Sequence, residues 1–134
     1  MNTGKLPNDL MNKLLAKIHS NDPRVILGPA LGEDAAIISM KNRNLVVSSD
    51  PITFTTANIG WYSVHINAND IATRGAKPLW FLSTILAPTD TNESTIENVI
   101  SEIKETCNAL NIELVGGHTE ITESVTNLIV SGTM

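Results

Sequence analysis

The spacing of hydrophobic and polar positions along the chain predicts three helices joined by short strands. The first helix follows a capping Asn8 or Asp9 and ends before Asn21-Asp22-Pro23. The second covers about residues 58–74 and ends at Gly75. In both, apolar residues recur every three to four positions, as a helix with one buried face requires. These residues are Leu10, Leu14, Leu15 and Ile18, then Ile59, Val64, Ala68, Ile71 and Ala72.

A third amphipathic helix begins at a cap within residues 91–93, and apolar runs between the helices predict strands. The first two runs, joined by a basic turn at residues 41–44, predict a hairpin. The third is long and mostly apolar, which predicts a strand covered on both faces. The fourth ends in a glycine pair. The runs are AAIISM, LVVSSD, KPLWFLSTILAP, IELVGG and TNLIVSGTM.

The order helix, strand, strand, helix, strand, helix, strand, strand predicts an α+β fold, a mixed β-sheet with helices packed on one face. The printed sequence stops on strand-like residues. This leaves two alternatives: the last strand lies at a sheet edge, or the chain is one domain of a longer protein.

One helix carries an unexpected polar cluster. His65, Asn67, Asn69 and Asp70 lie within the second predicted helix, among isoleucine and alanine residues. The cluster is either a solvated helix face or part of a ligand site.

Composition and charge narrow the classes of partner. The chain has 134 residues, 42% hydrophobic and 17% charged, which is typical of one folded domain. Its net charge is −5 and no basic run occurs, so nucleic acid and anionic membranes are not expected partners. A phosphate ligand would need a metal ion, because few cations are available to neutralise it.

Several other site classes find no support. Cys107 is the single cysteine and lies on an apolar helical stripe, which predicts a core position and a reducing, cytoplasmic compartment. The first ten residues have no apolar core, so no signal peptide is expected. P-loop and dinucleotide-binding glycine motifs are absent, and the histidines are too isolated for a zinc site. Ser48 and Ser49 have no partnering base, so a hydrolase triad finds no support.

Three acids at element boundaries are candidate metal ligands. Asp34 precedes AAIISM, Asp50 closes LVVSSD, and Asp70 lies near the end of the second helix. Asp34 and Asp50 could instead be turn residues, and Asp70 could pair with Arg74 on the surface. If the acids converged, two carboxylates ~5 Å apart at an effective dielectric of ~20 would repel by about 3 kcal/mol, so a cation such as Mg²⁺ would be needed.

The segment GGHTE, residues 116–120, is a second candidate site. Gly116 and Gly117 let the backbone approach a ligand closely, and Thr119 and Glu120 are within reach of it. A glycine pair after a strand is also the usual composition of a simple turn.

Taken together, these segments resemble the N-terminal domain of the AIR synthase superfamily. This superfamily includes aminoimidazole ribonucleotide synthetase, thiamine-monophosphate kinase, selenophosphate synthetase and a carbamoyl-dehydrating hydrogenase-maturation factor. The resemblance covers residues 32–134, preceded by a helix and loop at 1–31, and the family's second domain is not in this chain. The matching segments are GEDAAII (32–38), SSDP (48–51), IGWYSVHINANDIATRGAKP (59–78) and VGGHTE (115–120).

The resemblance implies a domain that binds ATP through Mg²⁺, in an enzyme that activates an amide or phosphate oxygen of a small-molecule substrate. By position it implies nucleotide or metal roles for Asp34, Asp50, Asn67 and Asp70, and places the Asn67 face toward phosphates. It extends a nucleotide role to Gly116, Gly117 and Thr119 and a metal role to Glu120. It also implies a homodimer whose sheets close into a barrel.

Departures from the family pattern keep two alternatives open. Several relatives have an acid where this chain has His118, so Glu120 would supply the carboxylate or one metal site is lost. The chain is most similar to the hydrogenase-maturation-like branch. The alternatives are a non-catalytic dimerisation or regulatory module, and a thiamine-monophosphate kinase-like phosphotransferase.

Overall fold

The computed structural model describes residues 3–134, and the chain divides into two compact units, Met1–Val46 and Val47–Met134. The predicted division into residues 1–31 and 32–134 stays a prediction. The first unit contains helix α1 (Asn8–Leu15), strand β1 (Val25–Leu27), strand β2 (Ala36–Met40) and all but the last residue of strand β3 (Arg43–Val47). The strands form a sheet in the order β1-β2-β3.

Helix α1 confirms the predicted helix but is shorter and differently capped. It ends at Leu15, so Ile18 lies outside it and is 55% exposed. The N-cap residue is Pro7, not Asn8 or Asp9, and no side chain caps the helix. The Pro7 carbonyl accepts a hydrogen bond from Met11 N at 2.9 Å, and the fixed φ of proline suits the start of a helix. None of the residues of α1 is buried.

The predicted hairpin is confirmed as β2 and β3, with Lys41 in the turn at φ 57°. Strand β1 was not predicted. It has three residues and pairs antiparallel with β2. A run this short carries too little alternation to be distinguished from a loop.

The second unit contains four strands and two helices. They are β4 (Ser49–Ile52), α2 (Ile59–Thr73), β5 (Trp80–Ala87), α3 (Glu93–Leu110), β6 (Glu113–Ile121) and β7 (Ile129–Thr133). The sheet order is β4-β7-β5-β6, with β5 and β6 parallel and the other pairs antiparallel. This confirms the mixed sheet of an α+β fold. Strand β7 lies between β4 and β5, so the alternative that places it at a sheet edge is wrong.

The segment LVVSSD, predicted as one strand, is divided at Ser48. Strand β3 ends at Val47 in the first sheet, and β4 begins at Ser49 in the second. Ser48 exchanges two main-chain hydrogen bonds of 3.0 Å with Met134. No glycine or proline interrupts LVVSSD, so the sequence did not reveal the division.

Strand β5 is covered on one face only within this chain, which corrects the prediction of two covered faces. Phe81, Ser83 and alternate residues beyond them are buried. On the opposite face Trp80 is 52% and Leu82 44% exposed. The reason is that both helices pack on the same face of the sheet, α2 against β4 and β7 and α3 against β6.

Both long helices confirm their predicted limits. Gly75, at φ 67°, donates its N–H to Ala72 O at 2.9 Å and closes α2. Asn92 caps α3, where its Oδ1 accepts the Thr95 N–H at 2.9 Å. No helix within residues 3–134 is long and apolar enough to cross a membrane.

Candidate functional site

Asn67 ties helix α2 to strand β4. Its Oδ1 accepts a hydrogen bond from Asp50 N at 3.0 Å, and its Nδ2 donates to Asp50 O at 3.3 Å and to Ser63 O at 2.8 Å. The side chain is completely buried. This corrects the interpretation of Asn67 as part of an outward polar face, because its amide bonds to the main chain and positions Asp50. Its nucleotide role stays a prediction.

The position of Asn67 depends on Gly132 beneath it. Gly132 lies opposite Asp50 in the β4–β7 pairing, and a Cβ there would overlap the Asn67 amide and the Phe81 ring. The absence of a side chain at Gly132 therefore gives Asn67 room to reach β4. The sequence contained a signal for this burial, because Asn67 lies three residues after Val64 and four before Ile71 on the apolar stripe of the helix.

Asp50 is a candidate metal ligand held on the helix-covered face of the sheet. The register places it in one cross-strand row with Gly132, Ser83 and Gly117, and Ser83 is buried on that face. Asp50 is half-buried, and its carboxylate makes no hydrogen bond or ion pair with any other residue in 3–134. The carboxylate oxygens therefore remain available to a ligand.

The other predicted acids occupy different surroundings. Asp70 is half-buried near the end of α2, where its carbonyl accepts the Thr73 hydroxyl at 2.7 Å. Asp34 is exposed in the first compact unit. Glu120 lies on β6, where its carboxylate is 3.2 Å from His118 Nε2.

Glu120 and Asp50 are not brought together by the sheet. Glu120 pairs with Leu86, whereas Asp50 belongs to the row of Ser83, and side chains an odd number of residues apart on β5 point to opposite faces. Two strands, β7 and β5, also lie between β4 and β6. Within one chain, the register therefore places these two residues on opposite faces of the sheet, and their metal roles stay predictions.

The glycine pair lies inside β6, which corrects its interpretation as a turn after a strand. At Gly117 a Cβ would collide with the main-chain carbonyl of Ser83, whereas at Gly116 the nearest atom is Leu82 Cδ2 at 3.9 Å. Gly117 therefore permits close approach of β5. The pair also lines a groove of about 430 Å³, formed by Ser83, Ile85, Ile100 and residues 114–119. Thr119, the third predicted nucleotide contact in this segment, lies in the same groove.

The carboxylates of the predicted metal ligands can supply only part of the coordination shell of Mg²⁺. Among residues 3–134, no three His, Cys, Asp or Glu side chains are grouped as a metal site. Mg²⁺ usually keeps several waters and binds one or two carboxylates together with substrate phosphates, so a complete protein cage is not required. The uncommitted carboxylate of Asp50 meets that smaller requirement, and the metal assignments stay predictions.

Cys107 is buried in α3, as predicted. Burial, followed by the negative charge of Glu113, raises the pKa of its thiol to about 11. The thiolate is the nucleophilic form, so this cysteine is unreactive at neutral pH.

Comparison with known proteins gives relatives that are much longer than this chain. A putative hydrogenase expression/formation protein of Methanocaldococcus jannaschii is 29% identical over 104 residues, 74% of this chain and 31% of the relative. A thiamine-monophosphate kinase of Archaeoglobus fulgidus is 25% identical over 122 residues, 85% of this chain and 40% of the kinase. The chain thus spans less than half the length of these relatives.

A solved structure of AaThiL complexed with AMPPCP and TMP has the same fold, with a TM-score of 0.71 at 22% identity over 93% of this chain and 38% of that chain. Residues 32–134 match the family described as AIR synthase related protein, N-terminal domain. The chain therefore belongs to the AIR synthase-related family, as its N-terminal domain.

Proposed function

We propose that this chain is the Mg²⁺–ATP-binding domain of an enzyme that uses ATP to activate an amide or phosphate oxygen of a small-molecule substrate. The observation that carries the proposal is Asp50, whose main chain is fixed by Asn67 while its half-buried carboxylate makes no bond within the described residues. Family membership supports it, as does the solved relative with AMPPCP, an ATP analogue.

Asp50 and Asp70, both in the second unit, would hold Mg²⁺, and the ion would neutralise phosphate charge. Asn67 holds the Asp50 main chain in place. The Asp50 carboxylate therefore has fewer positions to adopt. Gly116, Gly117 and Thr119 line the groove along β6 that we assign to the nucleotide. Asp34 and Glu120 remain predicted metal ligands.

Calorimetry with AMPPCP tests the proposal directly. We expect nucleotide affinity to rise at least about tenfold when Mg²⁺ is present, because the acids and the phosphates both require the cation. Asp50→Asn should remove that gain while the domain stays folded. Asp90→Asn, the same change at an exposed loop position, is the matched control and should leave it intact. Equal affinity with and without Mg²⁺ would contradict the proposal.

Catalysis by the complete protein is a further part of the proposal. Phosphoryl transfer depends on positioning and on charge stabilisation in an enclosed site, and this chain covers less than half of its relatives. The 134-residue chain should therefore hydrolyse ATP very slowly. Rapid hydrolysis that Asp50→Asn abolishes would mean that the chain holds a complete active site.

A thiamine-monophosphate kinase-like phosphotransferase is the alternative chemistry, favoured by the relative of that name. His118 counts against this alternative, because the family resemblance leads us to expect an acid at this position. Transfer of phosphate from ATP to thiamine monophosphate by the full-length protein would establish this alternative.

A homodimer is a second proposal, favoured by the open face of β5. Trp80 and Leu82 present apolar area there that a partner sheet would cover. Such a dimer is also compatible with a non-catalytic dimerisation or regulatory module. Sedimentation should show a dimer that Leu82→Lys dissociates. Ile100→Lys, at an exposed residue of α3, should leave the dimer intact. A stable wild-type monomer at micromolar concentration would contradict the dimer.

A further inference from the structure

An open groove lies between α2 and α3, separate from the residues assigned to the nucleotide. Its volume is about 600 Å³. Four residues of one α2 face and its cap line one wall, and four residues of one α3 face line the other. They are Asn58, Trp61, Tyr62 and His65, then Glu102, Glu105, Thr106 and Ala109.

The two helices are fixed beside this groove by a close contact at Gly60. A Cβ at Gly60 would lie 2.7 Å from Val99 O, which is too close for any side chain. Gly60 N also donates a hydrogen bond to Glu102 Oε2 at 2.9 Å. The groove is therefore a feature of a rigid helix pair.

One wall of the groove is an aromatic surface. The Trp61 ring stacks on the His65 ring with centroids 4.0 Å apart and a tilt of 38°. Tyr62 meets Trp61 edge-on at 5.0 Å and Phe54 edge-on at 5.2 Å. Trp61 is nonetheless 45% exposed and Phe54 65% exposed. Three of the five aromatic residues of the chain thus lie together on an incompletely buried surface.

The opposite wall is negatively charged. Glu102 bonds to Gly60, and Glu105 makes no hydrogen bond or ion pair with any of residues 3–134. Neither wall contains Lys or Arg among the described residues. Aromatic faces attract cations, and carboxylates do so more strongly, so the two walls select a positively charged group and disfavour phosphate.

We propose that this groove, the aromatic groove, binds an arginine-bearing segment of a protein partner. A guanidinium group stacks on an aromatic face and bonds to a carboxylate at the same time, which a compact ammonium does less well. The groove is open, since Trp61 in its wall is half exposed. Sites for small molecules, by contrast, enclose most of the ligand surface. Tryptophan and arginine are also the residues enriched at the centres of protein interfaces. The net charge of −5 attracts a basic partner.

Fluorescence of Trp61 tests the proposal. The chain has two tryptophans, so Trp80→Phe leaves Trp61 as the sole reporter. The probe is a short blocked peptide with two arginines, and its control is the same peptide with citrulline, which keeps the shape and removes the charge. We expect saturable binding of the arginine peptide and at least about tenfold weaker binding of the citrulline peptide.

Glu105→Gln should weaken the arginine peptide about two- to fivefold, as expected for one exposed charge contact. Glu97→Gln removes the same charge elsewhere on α3 and should change nothing, and neither variant should alter AMPPCP binding. Equal binding of the two peptides, or equal weakening by both variants, would overturn the proposal, since the attraction would then be nonspecific. Binding of free argininamide as tight as that of the peptide would overturn the protein-partner assignment in favour of a small-cation site.

Discussion

The two sides of helix α2 carry polar residues that serve different purposes. On the side that faces the sheet, Asn67 is completely buried and bonds to the main chain of Asp50 and Ser63. On the side that faces α3, Trp61 and His65 stack on each other and remain partly exposed. The polar cluster of the sequence therefore contains both a buried structural amide, Asn67, and a partly exposed imidazole, His65. Burial distinguishes the two roles.

Gly132→Ala should have the largest effect on the buried side. The added methyl group would overlap the Asn67 amide and the Phe81 ring, so α2 must move from the sheet or Asn67 must give up its bonds. Overpacking and lost hydrogen bonds together should reduce the free energy of unfolding by about 3 kcal/mol or more. Chemical denaturation measures this. A change below about 0.5 kcal/mol would show that the junction is loose, and the contrast between the two sides would fail.

Asn67→Ala should cost somewhat less, about 2–3 kcal/mol, because it removes three hydrogen bonds and leaves Asp50 N without its amide partner. Asn69→Ala is the matched control: it is the same substitution on the same helix at an exposed residue, and should cost under about 0.5 kcal/mol. Equal denaturation midpoints for the two variants would contradict the structural role of Asn67.

The limits of the helices were more predictable from the sequence than the burial of individual polar residues on them. The limits of α2 and α3 follow from apolar spacing, a capping Asn92 and a closing Gly75. The structural role of Asn67 was not predicted, because its polar side chain was interpreted as a ligand contact. Its spacing from Val64 and Ile71 on the apolar stripe indicated burial instead.

Tertiary partners set the features that local patterns could not predict. No glycine or proline marks Ser48, although the chain changes sheet there. A glycine pair is typical of a turn, but glycine is needed at position 117 because a Cβ there would collide with the Ser83 carbonyl on the neighbouring strand. The metal assignments came from family resemblance. They stay predictions; the strand register places Asp50 and Glu120 in different cross-strand rows.

Cys107 extends the contrast to α3, where it is buried next to Thr106 of the aromatic groove. Its pKa of about 11 lies above that of an unfolded thiol, so the unfolded chain loses this proton first as pH rises. Stability should therefore be intact below about pH 9 and fall by about 2 kcal/mol between about pH 9 and 11. Denaturation of wild type and Cys107→Ala across this range measures it. If the unfolding free energies of wild type and Cys107→Ala changed in parallel with pH, the thiol would be accessible to solvent. The buried side of α3 would then be less protected than its contacts indicate.

Trp61→Ala should have the smallest effect on stability, although it removes the largest side chain of the aromatic groove. Trp61 is 45% exposed, so its truncation exposes little core and loses mainly the stacking on His65, about 1 kcal/mol or less. Phe81→Ala, at a fully buried ring on β5, should cost about 3–5 kcal/mol and calibrates the comparison. Denaturation of both variants in the same buffer separates the two sides. A cost at Trp61 close to that at Phe81 would mean that the aromatic surface holds the helix pair together, so its exposure would no longer indicate a surface kept for a partner.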